Sequence, residues 1–141
     1  MVTELWITNL EGLCFYHSTI GEKKENPMND LLMTGFFSAI TSFAFEITGD
    51  NIKKLDFGEA KLLFFLQNNL LFIVKADLNS SDSKIKKKIK ILQDLFIKKF
   101  KRELDNFDGE ISSFRVFDKD LDEIFKKISK SEKWGKGLMD L

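Results

Sequence analysis

The chain has 141 residues, a formal net charge of zero, fifteen phenylalanines and one proline, which predicts one domain with a well-filled core. One cysteine excludes an internal disulfide, and the absence of a basic N-terminal segment or a long apolar run argues against a signal peptide or membrane span. We therefore expect a cytoplasmic protein. The charge is uneven, with −4 over residues 1–80 and +4 over residues 81–141.

The N-terminal residues predict a β-hairpin. Residues 5–9 and 13–19 are rich in aromatic and β-branched side chains, and Glu11-Gly12 between them is a turn signal. The polar segment 20–27 then ends in the only proline, which delays the helix that follows.

Residues 30–48 predict the central helix, which Gly49 ends. One apolar line has helical spacing and is expected to lie on a sheet: Leu32, Phe36, Ile40, Phe43 and Ile47. A second line, Met33, Phe37 and Phe45, lies off that face and predicts either more core or a contact surface.

Three further strands are predicted after the helix. Residues 52–57 alternate charged and apolar side chains, as an edge strand does. Residues 60–67 and 70–78 are apolar on both faces, with Asn68-Asn69 as a tight turn between them. Strands covered on both faces require helices above and below the sheet.

The C-terminal part predicts two helices. Residues 84–107 form a lysine-rich helix, 111–117 are extended, and Asp118 caps a helix over 118–130 that turns Leu121, Ile124, Phe125 and Ile128 inward. Residues 131–141 are expected to be a fraying tail in which Trp134 and Leu138 could dock.

This β-β-α-β-β-β-α-α order resembles the longin domain, over residues 4–130. The resemblance lies in the hairpin LWITNLEGLCFYHS, the helix LLMTGFFSAITSFAFEITGD, the meander IKKLDFGEAKLLFFLQNNLLFIVKAD and the closing FRVFDKDLDEIF. It implies an α+β fold with a five-stranded antiparallel sheet, one helix on one face and two on the other. It also implies a stand-alone domain of the kind that occurs in archaea.

The residues indicate no catalytic, cofactor or metal site. Cys14 and His17 differ by three positions and so face opposite sides of a regular strand, and together they are too few for a zinc site. The acidic residues Asp118, Asp120, Asp122 and Glu123 lack the pattern of a calcium loop and suit the first turn of a helix.

The longin resemblance therefore carries the functional expectation, a non-catalytic interaction module in small-GTPase regulation or membrane trafficking. Its partner would be a second copy, another longin or roadblock chain, or a small GTPase. The predicted interface comprises Met33, Phe37, Phe45, Ile52, Leu55 and Phe57. The alternative is a profilin-like or PAS-like domain that senses a small molecule.

The lysine-rich helix presents a separate question. A solvated helix face explains most such lysines, and contact with an anionic membrane surface is the other interpretation. The residues for that contact are Lys86, Lys87, Lys90, Lys98 and Lys101. No aromatic side chains alternate with these lysines, which argues against nucleic acid.

Overall fold

A computed structural model describes residues 1–20, 29–107, 109 and 111–125. Within it the chain forms two compact units, Met1–Ile89 and Lys90–Leu141, which we describe separately. Three predicted features lie outside the described residues: the loop from residue 21 onward, the inward position of Ile128 and the tail over 131–141. The expected single domain of residues 1–130 stays a prediction.

The first unit is built on a five-stranded antiparallel sheet with strand order β2-β1-β5-β4-β3. The strands are β1 (Val2–Asn9), β2 (Cys14–Thr19), β3 (Lys54–Asp56), β4 (Ala60–Gln67) and β5 (Leu70–Asp77). Helix α1 (Asn29–Thr48) connects β2 to β3, and α2 (Asp82–Lys99) follows β5 and continues into the second unit. This order confirms the predicted antiparallel sheet.

Local turn chemistry explains why the elements end where they do. Asn68 and Asn69 both have positive φ, at 52° and 62°, so they close the β4–β5 hairpin as predicted. Gly49 has a φ of 72°, and its N–H bonds the Phe45 carbonyl at 2.8 Å, which ends α1. Both turns need a conformation that ordinary side chains rarely adopt.

The sheet is buried on both faces, as the two-sided strands β4 and β5 predicted. The face under α1 holds a cluster of six buried side chains: Trp6, Phe37, Leu62, Phe64, Leu71 and Ile73. The opposite face buries Leu5, Ile7, Leu63, Phe72 and Val74. Phe37 contacts Trp6 and Phe64 edge to face, with ring centroids 5.2 and 6.0 Å apart.

The prediction of which α1 face lies on the sheet was wrong. Phe37 is fully buried, whereas Phe36 is 40% exposed, Leu32 68%, Phe43 64% and Ile47 65%. The expected stripe therefore points outward, and only its Ile40 packs against the core cluster. Phe37 rather than Phe36 packs against Trp6 and Phe64, and on the flank beside the hairpin the Ser38 hydroxyl donates to the Leu10 carbonyl at 3.4 Å.

The predicted opposite orientation of Cys14 and His17 was also wrong. A β-bulge in β2 pairs His17 with Trp6 and Cys14 with Thr8, and these two β1 residues lie on the same face of the sheet. Phe15 and Tyr16 at the bulge are both buried. A one-residue register shift reverses every side chain beyond it.

The second unit is organised around a cluster of four phenylalanines. Phe96 and Phe100 contact Phe114 and Phe117 with ring centroids 5.0–5.9 Å apart. The predicted lysine-rich helix is broken, with α2 ending at Lys99 and a short α3 at Lys101–Asp105.

The segment expected to be extended is instead a 3-10 helix, Ser112–Val116. Its i, i+3 spacing turns Phe114 and Phe117 to the same side, and both are fully buried. A helix, α4, follows directly over 117–125 and buries Leu121, Ile124 and Phe125 as predicted. Asp118 therefore lies inside that helix rather than at its cap.

Candidate protein-interaction face

The outward side of α1 forms an apolar surface, which we call the outer stripe: Leu32, Phe36, Phe43 and Ile47. At about 100° per residue these four side chains fall within an arc of about 60°. The inward side carries the buried Phe37 and Thr34, with Met33 and Ile40 packed against the core cluster. A helix normally turns its more apolar side to the core, so the outer stripe is the unusual feature of this molecule.

The outer stripe lies on the flank of α1 that faces away from the β1–β2 hairpin. Ser38 lies on the helix flank beside the β1–β2 hairpin, where a Cβ at Gly12 would come within 3.3 Å of the Ser38 Cβ. The stripe lies on the opposite side of the helix from Ser38. The core cluster is bordered by Ile40 of α1 and by Ile52 and Leu55 around β3. The stripe and the edge strand β3 thus belong to the same unit, and residues around β3 border the core cluster beneath α1.

The β3 strand is an unpaired edge among the described residues, because it ends the strand order. The Phe64 N–H bonds the Lys53 carbonyl at 3.0 Å, and the Phe57 N–H bonds the Ala60 carbonyl at 2.8 Å. Backbone groups alternate in direction along a strand. The N–H and C=O groups of Lys54 and Asp56 therefore point away from β4, to the open edge.

The side chains of β3 divide between the two sheet faces. Leu55 packs against the core cluster under α1. Lys54 lies on the other face, where its ammonium is 3.1 Å from Asp82 and 3.7 Å from Asp56. The hydrogen bond that Lys54 donates to the Asp82 carboxylate raises the pKa of Lys54 above its ordinary value. The Lys54 side chain on the edge strand is therefore held by ion pairs with Asp82 and Asp56.

A buried lysine supports this edge from β4. Lys61 is only 2% exposed, and its ammonium donates to the Asp82 carboxylate and the Ser80 carbonyl. Hydrogen bonds from Lys61 and then Lys54 hold the pKa of Asp82 below its ordinary value. This ion pair ties β3 and β4 to the start of α2.

The predicted interface residues do not all lie at this face. Phe37 was wrongly assigned, because it is the centre of the core contact between α1 and the sheet. Met33, Ile52 and Leu55 are partly buried against the same cluster. Phe45 and Phe57 are exposed, at 53% and 50%. Sequence reasoning missed the outer stripe because it had assigned those residues to the core.

The side chains of Cys14 and His17 have separate partners and do not form a catalytic pair. The Cys14 thiol donates to the Tyr16 carbonyl, whereas His17 bonds Glu4 at 2.9 Å and stacks on Trp6. The hydrogen bond from His17 lowers the pKa of Glu4. Within the described ranges, no three His, Cys, Asp or Glu residues form a group able to hold a metal ion.

The lysines proposed for an anionic surface are all exposed: Lys86, Lys87, Lys90, Lys98 and Lys101. Lys90 forms an ion pair with Asp94 on the next turn, at 3.2 Å. In the part of the chain that the structure describes, no helix has the length and hydropathy to cross a membrane.

Comparison with solved structures finds similar folds, whereas comparison of the sequence finds no similar family or protein. Neither a protein-family model nor a curated protein matches the sequence. A Roadblock/LC7 domain from Streptomyces avermitilis is 14% identical, with a TM-score of 0.55, over 73% of this chain and 85% of its own. Myxococcus xanthus MglB is also 14% identical, with a TM-score of 0.54, over 72% of this chain and 85% of its own.

A third structure extends the match over almost the whole chain. The mammalian SRP receptor chain is 18% identical, with a TM-score of 0.57, over 94% of this chain and 98% of its own. The chain has a longin-like, roadblock-type fold. At these identities the likeness concerns the fold.

Proposed function

We propose that this chain is a non-catalytic interaction module that binds a second longin or roadblock chain through the outer stripe of α1 and the β3 edge. The observation that carries this proposal is the exposure of the outer stripe in a unit whose sheet ends in the edge strand β3. Contiguous exposed apolar surface on a folded domain marks an interaction site. An open strand edge offers backbone hydrogen bonds to a partner strand.

The longin-like fold supports a role in assemblies that regulate small GTPases, including those of membrane trafficking. The same fold is found in MglB, a Roadblock/LC7 domain and the SRP receptor. The proposal places the protein in the cytoplasm, with the exposed lysines available for peripheral contact with anionic membranes. The ligand-sensing alternative is less favoured, because Trp6, Phe37 and Phe64 fill the space between α1 and the sheet.

A binding experiment tests the GTPase role. The purified chain would be immobilised and exposed to a panel of small GTPases, each loaded with GDP or with a non-hydrolysable GTP analogue. We expect this chain to bind a GTPase more tightly in one of the two nucleotide states. The double variant Phe36→Glu with Phe43→Glu should bind that GTPase more weakly if the outer stripe takes part in the contact. A matched control is Leu13→Glu, since Leu13 is 41% exposed on the hairpin and Phe36 is 40% exposed. Absence of binding across the panel, in both states, would contradict this role.

A further inference from the structure

The only histidine of the chain, His17, contacts an aromatic ring and a carboxylate at the same time. Its ring lies nearly parallel to that of Trp6, with ring centroids 4.9 Å apart and an interplanar angle of 7°. Its Nε2 lies 2.9 Å from a carboxylate oxygen of Glu4. The His17 and Glu4 side chains are only 20% and 23% exposed, so solvent and salt screen the contact between them less than they screen a surface pair.

Both contacts are stronger when the imidazole of His17 carries a proton. A cation within about 6 Å of the Trp6 ring is attracted to its face, and a hydrogen bond between two charged groups is stronger than one between neutral groups. Burial disfavours the charged imidazole, but its side chain keeps contact with water and the two neighbours act in the opposite direction. The hydrogen bond from His17 also lowers the pKa of Glu4, so this carboxylate stays ionised where a histidine titrates.

Lys75 allows His17 to lose its proton without leaving the Glu4 carboxylate unpaired. The Lys75 ammonium lies 3.7 Å from the other oxygen of Glu4, so each oxygen faces one cation. Among the described side chains of β1, β2, β5 and α1, the other charged groups are Asp77 and Glu46, and both are exposed. Within this set, His17 is the group whose ordinary pKa is near neutral.

His17 belongs to the edge strand β2, which stands at one end of the strand order and pairs with β1. Its last three residues, 17–19, are only partly buried. The side-chain contacts of His17 join this end of β2 to Trp6 of the core cluster and to Glu4. A strand end with few buried contacts opens locally at low cost, so a change in these contacts alters how often β2 opens.

We infer that His17 is a pH-sensitive switch that fastens the edge strand β2 to the sheet when its imidazole is protonated. The stabilisation is fully present below the pKa of an ordinary histidine, about 6.5, and is lost as the pH rises through the titration midpoint of His17 in the folded chain. The strands β2 and β3 are at opposite ends of the strand order, so the switch acts on an edge that the proposed interaction face does not use.

Nuclear magnetic resonance titration of the full chain tests the first step, because a single histidine gives a single set of imidazole signals. We expect a midpoint about one pH unit above the ordinary value, which is a tenfold preference for the protonated form. Glu4→Gln should return the midpoint towards the ordinary value. Glu11→Gln makes the same charge change on the exposed hairpin and should leave the midpoint unchanged. A wild-type midpoint at or below the ordinary value, or equal shifts in the two variants, would overturn the inference.

Hydrogen exchange of the β2 amides, corrected for the intrinsic effect of pH, tests whether the proton holds the strand. We expect β2 to open about tenfold more often at about pH 8.5 than at about pH 5.5, the ratio that a one-unit shift implies. The β4–β5 hairpin is the internal reference and should keep the same protection at both values.

A variant that cannot be protonated separates the switch from a general effect of pH. His17→Gln retains a hydrogen-bond donor for Glu4 but has no charged form, so its β2 protection should be the same at both pH values. The same pH dependence in this variant and the wild type, or β2 protection in the wild type that does not change with pH, would contradict the switch. The titration and exchange of the wild type decide the inference by themselves if the variant does not fold.

Discussion

The two faces of α1 differ in a way that is opposite to the usual amphipathic helix. The inner face contributes one fully buried side chain to the core, Phe37, with Met33 and Ile40 partly buried against the same cluster. The outer face carries four large apolar side chains that are at least 40% exposed. The difference shows that hydrophobicity alone does not determine which face of a helix is buried.

Substitution on the inner face of α1 should cause the largest loss of stability. Phe37→Ala should lower the free energy of unfolding by about 3–5 kcal/mol, because it empties a fully buried aromatic site. Phe36→Ala, one residue away on the outer face, should cost less than about 1 kcal/mol in the monomer. Urea unfolding at low protein concentration would measure both, and equal losses would remove the distinction between the faces.

A change in the hairpin beside the third side of α1 should cause an intermediate loss of stability. Gly12 has a φ of 93°, and a Cβ there would approach the Ser38 Cβ at 3.3 Å. Gly12→Ala should therefore cost about 1–3 kcal/mol from backbone strain and crowding. A variant as stable as the wild type in thermal unfolding would show that neither the backbone strain nor the close approach to Ser38 limits the residue at this position.

The ion pair between Lys61 and Asp82 lies in the same unit and can be compared with the apolar contact of Phe37. Asp82→Asn should cost about 1–3 kcal/mol at neutral pH, because the buried Lys61 ammonium loses its charged acceptor. The lowered pKa of Asp82 means that its stabilisation is fully present above its unfolded-state pKa and is lost as the pH falls through its folded-state pKa. The unfolding free energies of the two proteins should converge in acid, and a constant difference down to low pH would contradict this assignment.

The smallest expected effect is an increase in stability, from a substitution on the exposed side of α1. Gly35 is exposed within α1, and a Cβ there would meet no atom within 4 Å. Gly35→Ala should raise the free energy of unfolding by about 0.5–1 kcal/mol, since alanine loses less backbone entropy in a helix. A loss of stability in chemical denaturation would indicate that the monomer has a contact at this position.

Local signals in the sequence were sufficient for most elements of the fold. Gly49 and Asn68-Asn69 have a conformational preference that depends on no distant residue, so the end of α1 and the β4–β5 turn could be predicted. The spacing of Leu121, Ile124 and Phe125 likewise predicted a buried helix face. The bulge beside Phe15 and the 3-10 helix around Phe114 depend on tertiary packing, which periodicity does not report.

The candidate site was less predictable for a related reason. Both faces of α1 are apolar, and which of them is buried depends on the tertiary packing of Phe37 against Trp6 and Phe64, which no spacing rule contains. Phe37 was therefore placed in the interface and Phe36 in the core, the reverse of their positions. The β3 edge was predicted correctly because alternation of charge and hydrophobicity is a local signal.

Sedimentation velocity over a wide concentration range tests the central claim most directly, with the wild type compared against Phe36→Glu with Phe43→Glu. We predict a dimer for the wild type and a folded monomer for the double variant, because charges buried in an apolar contact are costly. The Leu13→Glu control should remain a dimer. A wild type that stays monomeric at the highest concentration, or a folded double variant that stays dimeric, would contradict the assignment of the outer stripe as the self-association surface.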